Sequence, residues 1–128
     1  MATILLIDDH PDVQEIMSRL LALHGHQVEV CASAEIALES LDRQLPDAII
    51  TDDRLLGMSG LELLRTIRRT ERLASLPVIF ISADASRSQE AMKAGASDFW
   101  LKGADWILDR MAQLNDKIAP RPRDEPPP

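Results

Sequence analysis

The sequence predicts an α/β fold in which five short parallel strands alternate with helices that cover both faces of the sheet. The apolar runs are short and mostly continuous rather than alternating, which is typical of strands buried on both faces. Segments with apolar residues at helical spacing separate these runs, and such alternation implies right-handed crossovers and a parallel sheet. The length of 128 residues and the 45% hydrophobic content fit one globular domain.

The first strand is predicted over residues 3–8, an apolar run that ends in acid. A helix follows because Pro11 suits a first helical turn, and apolar residues then recur at helical spacing until Gly25. Residues 27–32 alternate and include two valines, which indicates the second strand.

The middle of the chain predicts two further helices around a third strand. Ser33 is a cap residue for a helix that ends before Pro46, and residues 48–51 form an apolar run followed by acids. Ser59 and Glu62 have the spacing of a capping box, in which each side chain satisfies an unpaired backbone amide at the start of a helix.

The last part of the chain completes the pattern. Residues 77–81 form the fourth strand, and a helix is predicted from about residue 85 to 94. Residues 98–101 form a short fifth strand, and an amphipathic fifth helix is expected over about 106–118.

Five of the eight prolines lie in residues 119–128, so we expect a domain over residues 1–118 and a tail or linker over 119–128.

Composition excludes several functional classes. The net charge of −7 argues against direct binding to nucleic acid or anionic membranes, and no apolar run is long enough to span a bilayer. A single cysteine, Cys31, and the lack of a signal peptide pattern favour the cytoplasm.

Polar residues end four of the five predicted strands. In an open parallel sheet, the carboxyl ends of the strands form the ligand-binding edge. The residues at these ends are Asp8, Asp9, Asp52, Asp53, Ser82 and Lys102. Clustered oxygen ligands without His or Cys predict a hard ion, Mg²⁺ or alternatively Mn²⁺, and a carboxylate can itself attack phosphorus. A metal, a lysine and a hydroxyl donor are the groups that phosphoryl transfer needs.

The chain resembles the receiver domains of two-component response regulators over about residues 3–118. The resemblance rests on five segments in the family's order, residues 4–13, 45–52, 57–64, 77–83 and 94–102. It implies a flavodoxin-like, doubly wound five-stranded sheet with strand order 2-1-3-4-5 and five helices.

The resemblance also implies a phosphorylation site. Asp52 matches the phosphoacceptor, which receives a phosphoryl group from a histidine kinase or phosphotransfer protein. Asp8 and Asp9 match the acid pair that binds Mg²⁺ together with Asp52 and the backbone carbonyl of Arg54.

Three further positions match residues that take part in the conformational switch of this family. Ser82 matches the switch hydroxyl, and Lys102 matches the family's lysine. Phe99 stands where the family has an aromatic side chain that changes rotamer. These matches imply that phosphorylation reshapes the face formed by helix four, strand five and helix five.

The chain departs from the family pattern at several positions. Gly103 replaces the usual proline after the lysine, and we expect its bond to Lys102 to be trans, because a non-proline cis bond costs about 3 kcal/mol. Residues 55–57 lack the usual proline of the acceptor loop, and Asp53 is an extra acid that strand alternation should direct away from Asp52. We expect Arg54 and Asp84 to pair across the site and slow hydrolysis of the acyl phosphate.

The favoured function is therefore a phosphorylation-dependent signalling switch rather than a metabolic enzyme. Its expected partners are the phosphodonor protein and an unknown downstream protein, and it is expected to be a monomer or a phosphorylation-dependent homodimer. Two alternatives stay open: a pseudo-receiver that binds partners without phosphorylation, and a Mg²⁺-dependent phosphatase with Asp52 as nucleophile. The phosphatase lacks the usual general acid, since Arg54 occupies that position. His10, His24 and His26 show no metal-ligand pattern and are interpreted as surface or loop residues.

Overall fold

The computed structural model describes residues 2–102 together with residues 110 and 114. Five strands form one sheet with the order β2-β1-β3-β4-β5, and every neighbouring pair is parallel. The strands are β1 (Thr3–Ile7), β2 (Gln27–Cys31), β3 (Ala48–Asp52), β4 (Val78–Ser82) and β5 (Asp98–Leu101). The parallel sheet and its order are as predicted.

Four α-helices connect the strands within the described residues. They are α1 (Pro11–Leu23), α2 (Ala34–Arg43), α3 (Gly60–Arg69) and α4 (Ser88–Lys93). The predicted fifth helix lies outside the described residues except for Arg110 and Leu114, which are both helical. Gly103, its bond to Lys102 and the predicted tail over 119–128 also lie outside them.

The start of α4 differs from the single helix predicted over 85–94. Residues Ala85–Arg87 form a 3₁₀ turn before the α-helix begins. The Asp84 carboxylate accepts hydrogen bonds from the backbone amide and the hydroxyl of Ser86, and the Arg87 amide donates to the Asp84 carbonyl. These short-range bonds favour the tighter turn over an α-helical one.

The helices cover the sheet on both faces, because successive residues of each strand point to opposite sides. On one face, Leu5 and Ile7 pack with residues of α2, α3 and α4. On the other face, Ile4 and Leu6 pack with residues of α1 and with Leu114. The central strands β1, β3 and β4 are thus buried on both sides, whereas the edge strand β2 is largely exposed and carries Glu29 in its middle. Within the part of the chain that is described, no helix is long and apolar enough to cross a bilayer.

Candidate functional site

An acidic cluster lies at the carboxyl edge of the sheet. Asp8 and Asp9 follow β1, and Asp52 is the last residue of β3, the neighbouring strand. One ligand atom from each of these carboxylates and one from the His10 ring all lie within 4.8 Å of one another. The sheet order therefore brings together residues that are more than 40 positions apart in the sequence.

His10 is a member of this cluster that the sequence interpretation missed. Its Nδ1 lies 3.0 Å from an oxygen of Asp8, 3.0 Å from one of Asp9 and 4.0 Å from one of Asp52. The hydrogen bond to Asp8 and the charges of Asp8 and Asp9 raise the pKa of His10. The ring is exposed, as predicted, but its place directly after the acid pair brings it to the site. His26, in contrast, is buried rather than exposed.

Lys102 pairs with the buried carboxylate of Asp52. Its Nζ lies 2.9 Å from Asp52 Oδ1, and the Asp52 side chain is only 4% exposed. The backbone of Lys102 is fixed because its amide donates to the Ser82 carbonyl at the end of β4. Burial raises the pKa of Asp52, whereas the hydrogen bond and charge of Lys102 oppose that rise. Lys102 thus favours the ionised form of the Asp52 carboxylate and opposes the effect of burial on its pKa.

Asp53 has a separate set of partners, in agreement with the expected alternation along the strand. Its carboxylate accepts a hydrogen bond from the Ser82 hydroxyl at 2.9 Å. It also accepts two hydrogen bonds from the Arg87 guanidinium, at 3.1 and 3.0 Å. The two adjacent acids therefore belong to two different networks, one with Lys102 and one with Ser82 and Arg87.

An open cavity of about 420 Å³ gives access to these groups. Its lining residues are His10, Asp52, Asp53, Arg54, Ser82, Ala83, Asp84, Ala85 and Lys102. Arg54 and Asp84 both line it, but they form no ion pair within 4 Å among the described residues. The Asp84 carboxylate is held instead by Ser86, and these hydrogen bonds lower the pKa of Asp84.

The residues of the cluster fit a bound divalent cation. Oδ1 of Asp9 is buried and has no hydrogen-bond partner, although the His10 ring is near. A buried carboxylate oxygen that accepts no hydrogen bond is unfavourable unless a cation neutralises it, and either a metal ion or the protonated His10 ring 3.0 Å away can do so. Three carboxylates with oxygen atoms at this spacing suit a hard ion such as Mg²⁺, which binds through few carboxylates and retains water.

The loop after Asp52 is held by side chains from other elements. The Leu56 amide donates to Asp9, and the Met58 amide donates to Glu35 at the start of α2. These two bonds restrain the loop in the absence of the family's usual proline. Phe99, on β5, is partly buried and stacks on Phe80 with ring centroids 6.1 Å apart. Its role as a rotamer switch stays a prediction.

Comparison with known proteins agrees with this geometry. The family model described as "Response regulator receiver domain" matches residues 4–111. The chain belongs to this family. It is 36% identical to the chemotaxis protein CheY of Pseudomonas aeruginosa over 120 residues, which cover 90% of this chain and 97% of CheY. Against three longer regulatory proteins, the aligned part of this receiver domain spans between 24% and 48% of the relative.

Solved receiver structures share the fold. A putative response regulator from Chloroflexus aurantiacus aligns with a TM-score of 0.85 and 29% identity, covering 91% of this chain and 96% of that one. The receiver domain of the sensor histidine kinase PA1611 of Pseudomonas aeruginosa aligns with a TM-score of 0.77 and 31% identity, covering 88% and 95%. That structure has a magnesium ion coordinated in its active site cleft.

Proposed function

We propose that this receiver domain accepts a phosphoryl group on Asp52 from a histidine kinase or phosphotransfer protein. The observation that carries the proposal is the buried Asp52 carboxylate, which lies 2.9 Å from Lys102 Nζ within a cluster of three acids at an open cavity. An Asp52 oxygen attacks the phosphorus, the bond between phosphorus and the donor breaks, and an acyl phosphate forms on Asp52.

The other residues of the site support this reaction in distinct ways. Asp8, Asp9, Asp52 and the backbone carbonyl of Arg54 would hold Mg²⁺, or alternatively Mn²⁺. The ion supplies charge neutralisation for the phosphoryl oxygens. Lys102 lies where it would donate to a phosphoryl oxygen on Asp52, and the cavity leaves the acceptor open to a donor.

The proposed role is a signalling switch in the cytoplasm rather than a metabolic enzyme. The domain would catalyse its own phosphorylation and the hydrolysis of its own acyl phosphate. Phosphorylation would draw Ser82 toward the phosphoryl group and change the surface around α4 and β5, which a downstream protein recognises. Phe99 would change rotamer in that step, and the domain would act as a monomer or a phosphorylation-dependent homodimer.

Intact-mass spectrometry tests the proposal. Wild-type protein incubated with acetyl phosphate and Mg²⁺ should gain the mass of one phosphoryl group. The adduct should be absent with EDTA and absent in Asp52→Asn, a variant of nearly equal size that lacks the nucleophile. A folded wild-type protein that binds Mg²⁺ weakly or not at all and gains no adduct would favour the pseudo-receiver. Sustained turnover of small phosphomonoesters would favour the phosphatase.

Arg54 and Asp84 are proposed to tune the lifetime of the acyl phosphate. Both line the cavity, so they stand in the path of a water molecule that would attack the phosphorus. We expect the double variant Arg54→Ala, Asp84→Ala to lose its phosphoryl group faster than wild type after the donor is removed. Decay can be followed by intact mass over time. Equal or slower decay in the double variant would rule out this role.

A further inference from the structure

The Asp53 carboxylate is a buried charge that the proposed phosphoryl transfer does not use. The residue is 3% exposed and lies immediately after the acceptor. Its Oδ2 accepts from both the Ser82 hydroxyl and Arg87 Nε, and its Oδ1 accepts from a terminal nitrogen of Arg87. A buried carboxylate is stable only when it is paired and hydrogen-bonded, and Arg87 and Ser82 meet that need.

The hydrogen bond to Asp53 uses the only proton that the Ser82 side chain can donate. A serine hydroxyl has one O–H donor, and here it is donated to Asp53. The oxygen of the same hydroxyl accepts from the Asp84 amide at 3.0 Å, which fixes the rotamer from a second side. Among the described residues, Ser82 forms no hydrogen bond with Asp52. The hydroxyl must therefore leave Asp53 before it can donate to a phosphoryl group on Asp52.

The pair of Asp53 and Arg87 also reaches the next helix. Arg87 ends the 3₁₀ turn before α4, and its Nη1 lies 3.1 Å from Oε1 of Glu90 in the first turn of α4. Glu90 in turn lies 3.5 Å from Arg65 on α3. A change in the hydrogen bond between Ser82 and Asp53 would therefore alter the electrostatic environment of Glu90 on α4 and Arg65 on α3.

We propose that Asp53, paired with Arg87, is a positioning residue that holds the Ser82 hydroxyl away from the acceptor in the unphosphorylated protein. This proposal rests on the function proposed above. The hydrogen bond between Asp53 and Ser82 opposes the active conformation, and its loss accompanies binding of a phosphoryl group at Asp52. Asp53 thereby sets how readily the receiver responds to phosphorylation.

A double-mutant cycle separates this role from a general effect of charge. Removing the Asp53 carboxylate also makes the site less negative, which by itself favours an anion. That electrostatic effect occurs whether or not residue 82 carries a hydroxyl. Release of the hydroxyl can contribute only where residue 82 is serine. The informative comparison is therefore Asp53→Ala in the wild-type background against Asp53→Ala in the Ser82→Ala background.

The probe is beryllium fluoride with Mg²⁺, which stands in for a phosphoryl group on the aspartate, and its affinity is measured by calorimetry. We expect Asp53→Ala to tighten binding about tenfold more in the wild-type background than in Ser82→Ala, the value of one charge-assisted hydrogen bond. Asp53→Asn, which keeps an acceptor oxygen, should fall between Asp53→Ala and wild type. An equal change in both backgrounds would overturn the proposal, because Asp53 would then act without Ser82.

A second measurement needs no phosphoryl chemistry. In metal-free protein, NMR couplings between the α and β protons of Ser82 report its rotamer. One fixed rotamer in wild type and averaged couplings in Asp53→Ala support the positioning role, while unchanged couplings overturn it. If wild type binds neither beryllium fluoride nor a phosphoryl group, the phosphoacceptor function fails, and the couplings still decide whether Asp53 holds Ser82.

Discussion

Replacing Lys102 with methionine is expected to slow phosphoryl uptake by Asp52 at least about a hundredfold. Methionine retains an unbranched apolar chain but removes the ammonium group that lies 2.9 Å from Asp52 Oδ1. Loss of one preorganised donor to developing charge typically costs about 10²–10³ in rate. Progress can be followed by intact mass with acetyl phosphate and Mg²⁺ in excess, so that the comparison measures the chemical step.

The pH dependence of this variant supplies a second test. Burial raises the pKa of Asp52 and Lys102 opposes that rise, so removing Lys102 should raise the pKa further. Only the ionised carboxylate is a nucleophile, and the pH at which uptake becomes efficient should therefore shift upward in Lys102→Met. Lys93→Met is the matched control, since Lys93 is exposed on α4 and should leave uptake unchanged. Equal rates in wild type and Lys102→Met would show that Lys102 takes no part in the transfer.

The meeting of the three acids at one edge of the sheet could be predicted, because each acid ends an apolar run and the family resemblance implied the strand order. Each central strand is a mostly apolar run, and Asp8 and Asp52 are buried acids at the carboxyl ends of two of them. Once strands one and three are neighbours, their carboxyl ends place these acids together. Lys102 follows the fifth strand in the same way.

The partners of the individual acids could not be predicted, because they depend on side-chain directions across distant segments. Asp53 and Arg87 are 34 residues apart, and Arg87 reaches Asp53 from the end of the 3₁₀ turn that Asp84 caps. Strand alternation predicted only that Asp53 points away from Asp52. His10 was missed because its role depends on three carboxylates in space rather than on the spacing of histidines.

Gly60 lies where the start of α3 closely approaches the backbone at the end of β3, and Gly60→Ala is expected to be strongly destabilising. Gly60 is the first residue of α3, and its amide donates to the Asp53 carbonyl at 3.0 Å. A Cβ at this position would overlap the carbonyl oxygen of Asp52 and lie 3.0 Å from its carbonyl carbon and 3.2 Å from the Cα of Asp53. All three atoms belong to the backbone, so no side-chain rotation relieves the overlap.

The start of α3 or the end of β3 must therefore move in Gly60→Ala. Either movement disturbs the packing of Leu61 and Leu64, and overpacking of this kind costs about 3 kcal/mol. We expect the melting temperature to fall by about 10 °C or more in thermal unfolding followed by circular dichroism. Because Asp52 carries the obstructing carbonyl, phosphoryl uptake below the melting temperature should slow as well.

Gly25→Ala is the matched control for the same change of residue. Gly25 has φ +87° but nothing within 4 Å of a Cβ at that position, so alanine there incurs backbone strain of about 1 kcal/mol without a steric overlap. It should lower the melting temperature by only a few degrees and leave phosphoryl uptake at the wild-type rate. If Gly60→Ala melts no lower than Gly25→Ala, the close approach of α3 to the Asp52 backbone is not a steric requirement. Suppose that Gly60→Ala loses much stability and takes up phosphoryl slowly, whereas Gly25→Ala does neither. One close backbone contact would then both anchor α3 and fix the position of Asp52.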